Sequence, residues 1–90
     1  MMLEYDNRKY HRRKLGKTIS DPIDELWATR YKDSLIFIEH DEEAAARTRA
    51  AAVMYIGRHN YDLHSSVRNN EIWIMKDRDD PGSYFEVDLR

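Results

Sequence analysis

The longest uninterrupted apolar run in the chain is Leu35-Ile36-Phe37-Ile38, and no other stretch constrains the fold as much. Punctuated by Asp33-Ser34 before it and Glu39-His40 after it, the run is too short for a helix. Its β-branched and aromatic side chains predict a strand. Alternation puts Leu35 and Phe37 on one side and Ile36 and Ile38 on the other. A strand apolar on both faces belongs in the interior of a sheet, covered above and below. The run also falls far short of a membrane span, and the basic start lacks the apolar segment of a signal peptide. No membrane partner and a cytoplasmic location are expected.

Ninety residues allow one small domain with one core. A charged fraction of 36% and a mean hydropathy of −0.87 describe a very polar surface around a modest interior. With no cysteine there is no disulfide framework, thiolate nucleophile or Cys-based zinc site, which fits a reducing compartment.

Asp21-Pro22 has the chemistry of a helix start, a capping carboxylate followed by a residue with no amide hydrogen to satisfy. Ile23, Leu26, Trp27, Arg30 and Tyr31 then recur at helical spacing to about Lys32. After the strand, Asp41, Glu42 and Glu43 place negative charge at a second helix N-terminus, and the Ala-rich run through Ile56 ends at Gly57, with Asn60 as another stop. Projection at 100° per residue clusters Ala46, Ala50, Val53, Ile56 and Gly57 on an inner side and Arg47, Ala51, Tyr55 and Arg58 on the opposite one. Arg49, at the edge of the inner side, must snorkel out or find a carboxylate.

Tyr61 to Arg68 alternates in polarity, Asn69-Asn70 tolerates positive φ, and Glu71 to Lys76 follows as a second strand: a hairpin. A two-residue turn pairs Val67 with Ile72 and Ser65 with Ile74 on the side facing the Ala-rich helix. It pairs Arg68 with Glu71, Ser66 with Trp73 and His64 with Met75 on the other. Asp77 to Ser83 reads as a solvated turn, and Tyr84 to Leu89 as a fourth strand. The predicted fold is α+β, in the order helix-strand-helix-strand-strand-strand, with a small, mostly antiparallel sheet and a helix packed on at least one face.

Charge is distributed unevenly. Residues 1–20 carry six Lys or Arg against two acids, and residues 21–90 carry nine against fifteen. The six cations, Arg8, Lys9, Arg12, Arg13, Lys14 and Lys17, fall between Asn7 and Lys17 with Tyr10 and His11 interleaved. Residues 1–20 therefore read as a basic arm, with 18–21 the linker into a folded domain at 21–90. The arm either solvates itself or grips something negative: phosphates, or the acidic remainder of the chain.

Little points to catalysis. Gly16, Gly57 and Gly82 lie far apart and form no phosphate-binding loop. His64 can approach Ser66 on a strand, but no oxyanion device accompanies them. His59 and His64 are separated by a chain reversal, and Asp77, Asp79 and Asp80 miss the spacing of a calcium loop. No enzyme activity, metal or cofactor is expected.

The more informative constellation is aromatic and basic. Trp73 and Met75 share a face with His64, Ser66 and Arg68, a mixture suited to stacking bases or docking a protein. Because the central strand needs cover on both faces, the favoured arrangement folds the Ile23, Leu26, Trp27 stripe over Trp73; a homodimer burying that face would serve equally.

From Glu42, Glu43, Ala44, Arg47 and Arg49 to Ala52 through Gly57, Arg58 and His59, then Val67, Arg68 and Ile72 to Lys76, the chain resembles a recurring type of short bacteriophage-encoded accessory protein. That type pairs an Ala/Arg-rich helix with a β-hairpin. The resemblance implies a small viral protein acting in the host cytoplasm and lends no catalytic residues.

The expected function is non-catalytic binding of nucleic acid, with Arg8, Lys9, Arg12, Arg13, Lys14 and Lys17 on phosphates and Tyr10, Arg47, Tyr55 and Arg58 adding contacts. The alternative is a protein-binding modulator, such as an inhibitor of a host enzyme, docking through His64, Arg68, Trp73 and Met75; a pI of 6.1 favours this over a dedicated basic nucleic-acid domain.

Overall fold

Residues 18–90 are described by a computed structural model; the basic segment from Arg8 to Lys17, and every contact expected of it, lies outside them. Helix α1 covers described residues 18–28 and is followed by β1 (Ser34–Ile38), α2 (Glu42–Arg58), β2 (His64–Arg68), β3 (Glu71–Met75) and β4 (Tyr84–Asp88). The strands form one mixed sheet in the order β2-β3-β1-β4. The α+β architecture and its element order are those the sequence predicts.

The apolar run takes the interior position. β1 pairs antiparallel with β3, Leu35 opposite Ile74 and Phe37 opposite Ile72, and parallel with β4, Leu35 opposite Phe85 and Phe37 opposite Val87. The hairpin holds its predicted register throughout, from His64 opposite Met75 to Arg68 opposite Glu71. Asn69, the first turn residue, has a φ of 56°, the conformation for which asparagine is suited. Asn70 then ties the turn to the end of β1, donating from Nδ2 to the Glu39 carbonyl at 2.8 Å.

α2 begins where its acids place it. The Asp41 carboxylate accepts from the Ala44 amide at 2.8 Å, with Glu42 and Glu43 in the first turn. It runs past Gly57 to Arg58 and stops at Asn60, the second of the two predicted stops. Asn60 has a φ of 55°, and the Tyr61 and Asn60 amides donate to the Ile56 and Gly57 carbonyls, a Schellman ending.

Four sequence-based expectations need correction. Residues 18–21 are helical and not a linker, and Ile19 is a core residue, so Pro22 sits inside α1 and not at its first position. α1 stops short of Lys32: Thr29 donates to the Glu25 carbonyl, the chain turns toward β1, and Tyr31 is left 86% exposed. The inner side of α2 is Ala45, Thr48, Ala52 and Ile56, about a third of a turn from the predicted one; Ala46, Ala50, Val53 and Gly57 face outward. Thr48 is buried because its hydroxyl donates to the carboxylate of Glu39, itself buried.

The fourth correction matters most for function. α1 lies on the same sheet face as α2: Ile19, Ile23 and Leu26 join Ala45, Ala52, Ile56, Leu35, Phe37, Ile72 and Ile74 in one core. No helix among the described residues covers the face carrying Trp73.

Candidate nucleic-acid interface

The register fixes what that second face presents. On β3, Trp73 and Met75 alternate with the core residues Ile72 and Ile74; on β2, His64, Ser66 and Arg68 stand opposite them; β1 contributes Ser34, Ile36 and Ile38, and β4 contributes Tyr84, Glu86 and Asp88. Ile36 and Met75 are nonetheless buried, at 3% and 5% exposure. The rings of Trp73 and Tyr84 explain this for Ile36: β1 separates their strands, and the centroids lie 5.5 Å apart, so the side chains meet over β1. Met75, expected as a contact residue, is only 5% exposed and reaches the surface only where it lines the trough described next. Trp73 is half-buried and Tyr84 is 45% exposed. The indole is held on two sides, with Nε1 3.2 Å from Glu71 Oε1 and the Arg68 guanidinium carbon 5.2 Å from the ring centroid.

Beside this platform, along the free edge of β2, runs a trough of about 460 Å³ lined by Arg49, His64, Ser65, Ser66, Arg68 and Arg78, with Leu63 and Met75 as its apolar part. Three elements supply the arginines: α2, β2 and the segment after β3. None has a carboxylate partner among the described residues, where the ion pairs are Arg47–Glu43 and Arg90–Asp88. Three guanidiniums without an ion-pair partner among the described residues thus gather around one trough on a body that is acidic overall. Arg78 and Tyr84 were not singled out from the sequence. The acidic loop disguised the first and an ordinary strand pattern the second, although Tyr84 shares the alternation phase of Glu86 and Asp88, which are exposed.

The outer stripe of α2 does not assemble as expected. Arg47 pairs with Glu43 at 3.4 Å, Arg58 borders an apolar hollow between α1 and α2, and Tyr55 turns inward. The Tyr55 hydroxyl lies 2.8 Å from both Asp24 carboxylate oxygens, and Tyr61 donates to Asp24 Oδ1 at the same distance. Hydrogen bonding to Asp24, followed by desolvation, pushes the Tyr55 phenol up to about 12, and the same leading cause raises Tyr61. Trp27 stacks on Tyr61 with centroids 4.8 Å apart. This cluster joins the two helices, so Tyr55 is a structural residue and not an outward contact.

No group of three His, Cys, Asp or Glu among the described residues could hold a metal, and no helix there is long and apolar enough to cross a membrane. Comparison of the chain with protein-family models, with curated proteins and with solved structures finds no match.

Proposed function

We propose that the protein binds single-stranded nucleic acid on the open face of its sheet, stacking bases on Trp73 and Tyr84. What carries the reading is that face itself: a sheet surface that no helix among the described residues covers, on which two aromatic rings meet over a buried aliphatic residue, with Arg68 against one of them. Aromatic rings on a sheet stack bases whatever their sequence, while arginines beside them follow the backbone. The basic stretch from Arg8 to Lys17 adds phosphate contacts. With Met75 buried, Tyr55 engaged by Asp24 and Arg47 paired with Glu43, the contacts reassign to Trp73, Tyr84, Arg68 and that stretch. A viral accessory role, the one that the resemblance to short bacteriophage-encoded proteins implies, is compatible with such binding.

Fluorescence anisotropy with labelled single- and double-stranded oligonucleotides tests the proposal. Trp73→Ala should weaken single-strand binding about 5- to 150-fold, the equivalent of one lost stack. Deleting residues 1–17 should reduce the salt dependence between about 50 and 200 mM. Single-strand affinity unchanged in both Trp73→Ala and Tyr84→Ala, or a preference for duplex, would overturn it.

One observation favours a second reading. The β4 side of the same face carries Glu86 and Asp88, both exposed, which suits a protein partner better than a polyanion. On that reading the protein modulates a host enzyme through Trp73 and Arg68, and it shows no affinity for oligonucleotides at low salt.

A further inference from the structure

We propose that the trough along β2 is a phosphate site that takes a terminal phosphomonoester. On the reading above, which this inference deepens, the ligand is the phosphorylated end of the strand whose bases stack on Trp73.

The donors are numerous, and among the described residues none of the arginines is paired with a carboxylate. Arg49, Arg68 and Arg78 converge on one trough from three different elements, so the convergence is a product of the tertiary fold and not of a run of basic residues. His64, Ser65 and Ser66, all half-buried, add ring N–H and hydroxyl donors along the strand. Of the carboxylates near in sequence, Glu71 accepts from the Trp73 indole, Asp77 from the backbone amide of Asp79 at 2.9 Å and Asp80 from that of Gly82 at 3.0 Å, and none of them, nor Asp62 or Asp79, forms an ion pair with these arginines among the described residues. Among the described residues, these three arginines are exposed and no hydrogen bond or ion pair engages their guanidinium forks.

Charge matching selects the ligand. An internal phosphodiester carries a single negative charge, whereas a phosphomonoester carries about −1.5 to −2 at neutral pH and offers three strong acceptor oxygens. Three guanidiniums, each able to grip a phosphate bidentately, exceed what one diester needs and suit the more highly charged group. The trough's roughly 460 Å³ falls in the range of sites that hold molecules of nucleotide size. Arg68 joins the two surfaces, since its guanidinium lies against Trp73 and also lines the trough. A base stacked on Trp73 therefore has a cationic recess next to it for the phosphate at its end.

The test uses the full chain and three oligothymidylates of about eight nucleotides, alike except for a 5′-phosphate, a 3′-phosphate or hydroxyls at both ends. One phosphorylated end should tighten binding about tenfold over the hydroxyl-ended strand. Arg49→Gln and Arg78→Gln, both at exposed positions, should each erase that advantage, so that phosphorylated and hydroxyl-ended strands bind the variant alike. Equal affinity for all three strands would overturn the phosphate site and leave the nucleic-acid reading standing. If none of the strands binds, the nucleic-acid reading fails, and the site is decided separately by amide chemical shifts. Thymidine monophosphate and inorganic phosphate, but not thymidine, should then move Ser65, Ser66 and Arg78, and an absence of such shifts overturns the site.

Discussion

Single positions carry distinct and checkable energetics. Gly57 lies in the exposed last turn of α2, and a Cβ built there meets nothing within 4 Å, so Gly57→Ala should stabilise by about 0.5–1 kcal/mol in chemical denaturation. Gly82 is the opposite case. With a φ of +60°, and with an added Cβ 2.8 Å from the Asp33 Cβ and Cγ, Gly82→Ala should cost about 1–3 kcal/mol. The Tyr55–Asp24 contact stabilises the neutral phenol, so its contribution is complete below the phenol's ordinary value near 10 and is lost as pH rises through about 12. Thermal melts of wild type and Tyr55→Phe should accordingly differ at neutral pH and converge across that alkaline window; a constant difference would refute the linkage. These roles were partly legible. Asp41 announces itself as a cap by charge and position, whereas Asp24 gives no local sign that two tyrosines from beyond α2's midpoint will reach it.

At the scale of elements, the hairpin was readable to the residue because strand alternation and a two-residue Asn-Asn turn leave one register that buries Ile72 and Ile74 together. α2 was readable in extent but not in orientation. Alanines at 44–46 and 50–52 make nearly every side of it look small, so projection lacks contrast, and the decisive residue was a polar one. Thr48 faces inward to satisfy Glu39. Thr48→Val, though similar in shape, should therefore cost about 1–3 kcal/mol by leaving a buried carboxylate without its donor, and the double variant Glu39→Leu, Thr48→Val should recover much of the loss. Failure of the second change to rescue the first would show that the pair matters for more than hydrogen bonding. For α1, helical spacing identified Ile23 and Leu26 as buried, but spacing carries no information on which sheet face receives them. That choice follows from Asp24 and Trp27 meeting Tyr55 and Tyr61, contacts between positions more than thirty residues apart.

Across the described residues as a whole, α1 and α2 share one sheet face and leave the other to a belt of side chains that is cationic beside β2, aromatic over β1 and acidic on β4. The binding proposals follow from this gradient. The same topology governs how the chain is completed. β1 comes early in the sequence, yet both of its partners, β3 and β4, come after α2, and the 76–83 crossing reaches back so that Ser83 and Pro81 carbonyls accept from Asp33 and Ser34. A nascent chain emerging from the ribosome therefore carries its most apolar segment, Leu35 to Ile38, with one flank bare until Tyr84–Asp88 has been synthesised. Folding must wait for that closure, and a chain interrupted before it would expose the stretch most prone to intermolecular aggregation.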